Sequence, residues 1–257
     1  MLYQIIQYIK FFLKSTNQHG VHSPFVYNLV TKCFYDNTRY PEYKNIIAYR
    51  RSLLKNKSTI AVTDLGVGSS KIKSTARSVS KMAKHAGTPL QRAKLLFRLV
   101  HYFNSKHILE LGTSLGIASQ AMRLGNPKAT IISIEGCPNL AAFTKANFLN
   151  NIMKPINFMT GDFKDALSNL TNNSFDFIFF DGNHTKTATL NYFNTLLPTI
   201  HNDSVFIFDD IYWSKEMTEA WEVIKEHPQV TVTIDTFYWG FVFFRKEQHK
   251  EHFKIRV

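Results

Sequence analysis

The chain has 257 residues, 44% of them hydrophobic and 14% aromatic, which is enough to build one large domain and argues against a disordered protein. Its two cysteines, Cys33 and Cys137, are too few for a disulfide framework or a cysteine-rich metal site, and they favour a reducing compartment. Residues 1–105 carry 17 Lys and Arg against 3 Asp and Glu, whereas residues 106–257 carry 14 against 16, so the net charge of +12 comes from the first part.

The first part of the chain, residues 1–105, is predicted to be mostly helical. Its opening segment is apolar but is interrupted by Gln4 and Gln7, so it is predicted to be neither a transmembrane span nor a signal peptide. Gln4, Gln7 and Lys14 fall along one stripe of a helix over 1–14, and the apolar face of that helix needs a partner. Further helices are predicted over 43–55 and 90–104.

The segment 19–25 contains two histidines three residues apart, followed by Ser23 and Pro24. No Cys, Asp or Glu lies nearby to complete a metal site, whereas Ser followed by Pro is typical of the start of a helix. We therefore predict a helix start, with the alternative that His22 reaches the active site.

The stretch 64–85 combines a glycine-rich segment with regularly spaced cations. Residues 64–69 resemble a phosphate-binding turn but lack its Gly-Lys-Ser/Thr ending, so a structural turn is predicted, with an anion nest formed by Gly66–Ser70 and Lys71 as the alternative. Lys73, Arg77, Lys81 and His85 lie four apart, which predicts a basic amphipathic helix. The basic part predicts an anionic partner, either RNA or a phosphorylated ligand or a membrane surface, and a merely solvated face is the alternative.

From residue 106 onward, short apolar runs alternate with helix-length segments, which predicts a parallel sheet covered by helices. The fold class is therefore α/β, a Rossmann-like doubly wound sheet of seven mostly parallel strands with an antiparallel C-terminal hairpin. The predicted boundaries place a helical, basic N-terminal extension over 1–89 and the Rossmann-like domain over 90–257. The strands are predicted at 106–111, 130–135, 156–160, 175–181, 204–209, 231–234 and 238–244. The helices between them are predicted near 115–125, 139–150, 163–171, 185–197 and 214–226.

A glycine turn at 110–116 follows the first of these strands and precedes a helix, where backbone N–H groups can approach a ligand closely. Glu135 ends the next strand, 23 residues after Gly112, at a spacing that suits a carboxylate accepting both hydroxyls of a ribose. Asp162 and Phe163 follow the third strand, where a carboxylate and a ring suit a nucleobase. The alternative for Asp162 is a simple helix cap.

Over residues 90–245 the sequence resembles the class I methyltransferases that use S-adenosylmethionine, in the O-methyltransferase branch similar to catechol and caffeoyl-CoA O-methyltransferases. The motifs that carry this resemblance are ELGTSLG at 110–116, SIEG at 133–136, GDF at 161–163, FDFIFFDG at 175–182 and IFDD at 207–210. The resemblance implies that the turn binds the amino acid end of the cofactor, Glu135 its ribose, and Asp162 with Phe163 its adenine. The full set of implied cofactor-binding residues is Glu110, Gly112, Thr113, Ser114, Gly116, Glu135, Gly136, Asp162, Phe163 and Asp181. Many relatives have a further glycine at the position of Ser114.

The same resemblance implies a catalytic centre at the ends of the fourth and fifth strands. Asp181, Asp209 and Asp210 match positions that hold Mg²⁺ or another divalent cation in metal-dependent relatives, and oxygen ligands suit such a cation. The alternative is that the aspartates cap helices or contact the cofactor. Asp181 and His184 are the implied catalytic residues, with His184 at the position of a lysine base, and Lys186 is the alternative base.

We therefore expect a cytoplasmic S-adenosylmethionine-dependent methyltransferase that acts on an oxygen of a small or phosphorylated acceptor. An RNA methyltransferase that uses the basic extension is the first alternative, and a non-catalytic binding protein with the cofactor fold is the second. The aromatic residues Tyr212, Trp213 and Trp239 are candidates for contact with the acceptor, although core packing explains Trp239 equally well. The sequence leaves the oligomeric state open.

Overall fold

The computed structural model of the protein describes residues 2–63, 76–149 and 156–257. The chain forms two compact units, one made of Asp36–Ala166 and the other of the N-terminal segment up to Tyr35 together with Leu167–Val257. The division at residue 89 that the sequence pattern suggests stays a prediction.

Among the described residues of both units, more belong to helices than to strands. Within the described residues the α-helices are α1 (Leu2–Lys14), α2 (Pro24–Leu29), α3 (Tyr43–Lys55), α4 (Val79–His85), α5 (Leu90–Phe103), α6 (Ile117–Gly125), α7 (Pro138–Leu149), α8 (Phe163–Ser168), α9 (Lys186–Leu196) and α10 (Lys215–Glu226). Short 3-10 turns cover Gln18–Gly20 and Leu197–Thr199, and a π-helical turn at Val30–Phe34 continues α2.

The strands follow the predicted alternation from residue 107 onward. They are β1 (Thr59–Ala61), β2 (Ala76–Ser78), β3 (His107–Leu111), β4 (Thr130–Glu135), β5 (Asn157–Thr160), β6 (Phe177–Phe180), β7 (Val205–Asp209), β8 (Val232–Asp235), β9 (Trp239–Phe243) and β10 (Glu251–Lys254). All seven predicted strands are confirmed within one or two residues at each end.

The unit Asp36–Ala166 contains a parallel β3–β4–β5 arrangement with β4 in the middle. Leu109 lies opposite Ile132, and Ile134 lies opposite Met159. In β3 every residue after His107 is buried, as expected of a strand covered on both faces, and α5 packs against α6 beside it. This parallel order brings the carboxyl ends of the three strands to the same edge, where the predicted cofactor residues follow.

The other unit contains β6 parallel to β7, with β9 antiparallel to both β7 and β8. All residues of β6, β7, β8 and β9 are buried, which fits the nearly continuous apolar sequence of β6, β7 and β9. The predicted antiparallel hairpin is β8–β9, and it is confirmed.

The main sheet has eight strands in the described part of the chain, so the predicted number of seven is wrong. The additional strand is β10, which pairs parallel to β8 at the edge of the sheet. Its sequence Glu-His-Phe-Lys lacks an apolar run because only Phe253 of the strand is buried.

The prediction for residues 59–85 was wrong in two respects. A small antiparallel pair, β1 with β2, interrupts the helical part, and Arg77 lies in β2 rather than on a helix. Helix α4 begins only at Val79. The sequence pattern did not reveal β2, because a strand of three residues is too short to show a period. The glycine-rich segment 64–69, Lys71 and Lys73 lie outside the described residues.

Two helix predictions in the first part are confirmed. Ser23 caps α2, because its hydroxyl accepts a hydrogen bond from the Val26 N–H and Pro24 occupies the first turn. Helix α3 has the predicted bounds. Among the described residues no helix is long and apolar enough to cross a membrane.

Candidate functional site

The glycine turn between β3 and α6 has the backbone geometry that its sequence predicts. Gly112, Ser114 and Gly116 have φ values of 100°, 49° and 74°, in the left-handed region that favours glycine. The N–H groups of Gly112 and Thr113 both donate to the Ile134 carbonyl, at 2.9 and 3.2 Å. The turn is therefore fixed to the end of β4 before it enters the helix.

Side chains from other elements hold the carbonyl groups of this turn. The Tyr49 hydroxyl in α3 donates to the Leu115 carbonyl at 2.7 Å, and the Thr144 hydroxyl in α7 donates to the Ser114 carbonyl at 2.7 Å. Burial and the negative charge of Glu110 raise the pKa of Tyr49, so its phenol stays protonated and can donate. Sequence reasoning missed Tyr49 and Thr144, which lie far from the motif along the chain.

Gly116 is packed too tightly to carry a side chain. A Cβ atom at this position would lie 2.6 Å from Phe148 Cε2 and 2.7 Å from Thr144 Cγ2, both in α7. The glycine therefore serves the close approach of the turn to α7 as well as the left-handed backbone.

Glu135 ends β4 with its carboxylate held by backbone donors. Its Oε2 accepts from the Ser114 N–H at 2.8 Å and its Oε1 accepts from the Cys137 N–H at 2.9 Å. These two bonds fix the plane of the carboxylate, and a carboxylate oxygen can accept more than one hydrogen bond. The arrangement suits the predicted role of binding the two hydroxyls of a ribose, and Gly136 follows directly in the chain.

Glu110 is fully buried in β3. The hydroxyls of Ser119 and Ser133 both donate to its Oε2 at 2.5 Å, and Ser133 also contacts the Thr113 hydroxyl at 2.5 Å. A buried carboxylate beside a ligand-binding turn favours a cationic ligand, because a positive charge offsets the cost of keeping the negative charge away from water. Ser133 interrupts the apolar sequence of β4, a signal that could have identified it.

Asp162 and Phe163 follow β5 at the start of α8. Asp162 is exposed, and its Oδ1 accepts from the Lys164 N–H at 2.8 Å, which confirms that it caps the first turn of α8. Gly161 before it has a φ of 151°, and nothing lies within 4 Å of the position that a Cβ would occupy. The cap bond uses one of the two Asp162 oxygens, so capping and ligand binding are compatible.

In the other unit, the predicted catalytic pair is brought together just after β6. His184 Nε2 lies 3.6 Å from Asp181 Oδ1, and both side chains are about one quarter exposed. Burial lowers the pKa of His184, but the contact with Asp181 and the negative charges of Asp181 and Asp210 outweigh it, so the pKa lies above its usual value of 6.5. The two side chains are therefore adjacent and partly open to solvent.

Asp209 and Asp210 follow β7. The Asp210 N–H donates to Asp209 Oδ1 at 2.9 Å, and the backbone of Asp210 is left-handed, with a φ of 55°. Among the described residues there is no group of three or more His, Cys, Asp or Glu side chains placed to hold a metal ion. Binding of a divalent cation by Asp181, Asp209 and Asp210 therefore stays a prediction.

Three other residues that the sequence suggested as acceptor contacts or as a base are buried or already form polar contacts. Trp239 is buried in β9, as the packing interpretation predicts. The Tyr212 hydroxyl is part of a buried group with Asp235 and Lys254, at 2.5 Å and 2.7 Å. Lys186 is paired with Glu219 at 2.8 Å, which makes it less suitable than His184 as a base.

Together, the parallel strands, the glycine turn and the acidic residues at the strand ends define a Rossmann-like α/β protein with a nucleotide-type binding site. Residues 109–211 match the family model described as a methyltransferase domain. The turn at 110–116 and Glu135 lie within the matched region.

Solved structures of methyltransferases share this fold. A methyltransferase from Podospora anserina bound to S-adenosylhomocysteine superposes with a TM-score of 0.62 at 14% identity, over 88% of this chain and 97% of that one. The O-methyltransferase TomG from Streptomyces achromogenes, in complex with S-adenosylmethionine, gives 0.57 at 14% identity, over 84% and 95%. At these identities the similarity establishes the fold.

A curated relative points to the same branch. The chain is 26% identical over 143 residues to a provisionally assigned caffeoyl-CoA O-methyltransferase of Arabidopsis thaliana. The match covers 54% of this chain and 61% of that protein, so the two are similar over three fifths of the relative's length.

Proposed function

We propose that the protein is an S-adenosylmethionine-dependent methyltransferase that transfers a methyl group to an oxygen of a small-molecule acceptor. The observation that carries the proposal is the turn at 110–116 with Glu135 fixed by two backbone N–H groups, inside a methyltransferase domain. The similarity to caffeoyl-CoA O-methyltransferases supports oxygen as the methylated atom.

The residues of the unit Asp36–Ala166 fit the cofactor. The oriented carboxylate of Glu135 suits the ribose of S-adenosylmethionine, and the buried Glu110 suits its cationic groups. Asp162 with Phe163 suits the adenine. Gly112, Thr113, Ser114, Gly116 and Gly136 supply the close backbone approach. Bound S-adenosylmethionine supplies an already activated methyl group, so the chain's own task is to align the acceptor and exclude water.

His184 is the proposed base for the acceptor hydroxyl, with Asp181 orienting its ring. The pKa of His184 is raised above its usual value of 6.5, so its ring can take up a proton, and the carboxylate of Asp181 stabilises the imidazolium that forms. The proton moves from the acceptor oxygen to His184 as the oxygen attacks the methyl group. The predicted contact of Asp181 with the cofactor stays part of the proposal.

The proposed mechanism is written without a divalent cation, whose binding by Asp181, Asp209 and Asp210 stays a prediction. The test is methyl transfer in the presence of EDTA. Unchanged rates with EDTA, together with a large loss in His184→Gln, support the histidine mechanism. Loss of activity with EDTA and its recovery with Mg²⁺ would show instead that Asp181, Asp209 and Asp210 rearrange around a cation.

For the acceptor we propose only a chemical class, and for the location of the protein only a compartment. We expect a small or phosphorylated hydroxyl compound and a cytoplasmic protein. An RNA acceptor has only the basic character of residues 1–105 in its favour.

The experiment that tests the function is thermal unfolding with S-adenosylhomocysteine, S-adenosylmethionine and NAD⁺ added separately. A ligand at a hundred times its dissociation constant stabilises a protein by about 2.7 kcal/mol. We expect S-adenosylhomocysteine and S-adenosylmethionine to raise the midpoint temperature of unfolding, and NAD⁺ to leave it unchanged. Stabilisation by NAD⁺ alone would overturn the proposal and indicate a dinucleotide-binding protein. After binding is shown, release of S-adenosylhomocysteine with a panel of phenols and phosphorylated alcohols identifies the acceptor class.

A further inference from the structure

The N-terminal helix α1 is oriented with its apolar side chains toward solvent. Leu2 is 72% exposed, Ile9 54% and Leu13 78%, whereas Phe11 is the buried residue of the helix. The side facing the protein is partly polar, because Gln4 Nε2 donates to the Trp213 carbonyl at 3.2 Å. The exposed side is therefore the one that folding would be expected to bury.

These exposed residues form one continuous stripe, which we call the outer face of α1. Its members recur at helical spacing and are Leu2, Ile5, Ile6, Ile9 and Leu13. Tyr8 and Phe12 lie beside the stripe and are also about half exposed, and Tyr8 packs edge-on against Phe237 at 4.9 Å. Single exposed apolar residues are ordinary, but a contiguous row of this length marks an interaction surface.

The rim of the outer face carries aromatic and cationic side chains. Trp213 and Tyr238 are 37% and 51% exposed in the same compact unit. The exposed Lys10 and Lys14 belong to α1 itself, and the Arg256 guanidinium lies over the Phe12 ring at 5.3 Å. Trp and Tyr rings prefer the boundary between water and acyl chains, and lysines beside an apolar face favour anionic lipid headgroups.

The charge distribution favours a lipid surface over a second copy of the chain. Residues 1–35 contain Lys10, Lys14 and Lys32 and no Asp or Glu. In a parallel twofold contact between two α1 helices, the same lysines would approach each other, and in either orientation the helix offers no carboxylate to pair with them. A surface of anionic lipids covers the apolar stripe and pairs the lysines at the same time.

We propose that the outer face of α1 docks the protein on anionic membranes, with the helix lying in the plane of the interface. An interfacial helix buries only its apolar face, to a depth of roughly 5–10 Å, and needs no transmembrane span. The docking is independent of the proposed catalytic function, and the members of the outer face are not among the residues proposed for cofactor binding or catalysis.

The test is sedimentation of the full chain with vesicles of phosphatidylcholine and phosphatidylglycerol in equal parts, compared with vesicles of phosphatidylcholine alone. We expect binding to the mixed vesicles that weakens in high salt and is much lower on the neutral vesicles. The variant Ile5→Gln/Ile9→Gln should bind at least about tenfold more weakly, because two side chains lose their transfer into the acyl region. The variant Lys10→Glu/Lys14→Glu should lose the preference for anionic lipid.

The matched control is Val223→Gln, which removes an equally exposed apolar side chain, 51% exposed, from α10. It should bind vesicles as the parent does, and circular dichroism should show the same helix content for all variants. Absence of binding to the mixed vesicles overturns the proposal. So does a dimer, measured by light scattering after gel filtration, that dissociates in Ile5→Gln/Ile9→Gln, since the outer face would then belong to a second copy.

Discussion

Replacing Gly116 with alanine tests how the glycine turn is built. The left-handed backbone at φ 74° costs a residue with a Cβ roughly 1–2 kcal/mol. The new methyl group would also lie 2.7 Å from Thr144 Cγ2 and 2.6 Å from Phe148 Cε2, and such overpacking costs about 1–3 kcal/mol. Together these effects predict that the free energy of unfolding falls by about 2–5 kcal/mol, from a value that is typically about 5–15 kcal/mol.

The steric part of this prediction can be isolated with Thr144→Ser, which removes Cγ2 but keeps the hydroxyl that donates to the Ser114 carbonyl. In urea unfolding, the double variant Gly116→Ala/Thr144→Ser should lose less stability than the two single variants added together, with a coupling of roughly 1 kcal/mol. Strict additivity would show that the new methyl group does not press on Thr144 Cγ2, so that this contact is not what requires glycine.

Three further predictions concern other groups. Tyr49→Phe leaves the buried Leu115 carbonyl without its 2.7 Å donor, so urea unfolding should show a loss of about 1–3 kcal/mol and titration a weaker affinity for S-adenosylmethionine, whereas unchanged values would exclude a positioning role. Burial, with the nearby positive charge of Lys225, lowers the pKa of His252 below 6.5. The unfolded state therefore binds more protons below pH 6.5, so stability should fall as the pH falls through that range, and His252→Asn should flatten this dependence in unfolding measured on both sides of pH 6.5. His184→Gln should lower the rate of methyl transfer roughly 10²–10⁴-fold with little change in cofactor affinity, and a rate equal to that of the parent would remove His184 from the mechanism.

The strands that carry the site are predictable from the sequence because they are short apolar runs separated by helix-length segments. The positions of Gly112, Glu135 and Asp162 follow from the same pattern, since the carboxyl ends of parallel strands meet at one edge. The contact between Asp181 and His184 was not predictable in this way, because the two residues lie in a loop where a spacing of three positions does not fix a contact.

Features that depend on long-range packing could not be predicted in this way. The support of the turn by Tyr49 comes from α3, 66 residues before Leu115, and a single tyrosine in an amphipathic helix gives no sign of its partner. Strand β10 is polar because it lies at the edge of the sheet. It pairs with the edge of β8 that β9 does not occupy. The outward orientation of α1 was equally hidden, since the sequence shows that a helix has two faces but not which one the protein covers.

The account depends most on Glu135, and calorimetric titration with S-adenosylmethionine tests it most directly. The parent should bind the cofactor, and Glu135→Gln should bind roughly 10–150-fold more weakly, because a hydrogen bond to a charged group contributes about 1.5–3 kcal/mol. Ser133→Ala is a useful comparison, since it alters the Glu110 network while leaving both backbone bonds to Glu135 in place. Equal affinities of the parent and Glu135→Gln, or no binding by the parent, would contradict the assignment of this edge of the sheet as the methyl-donor site.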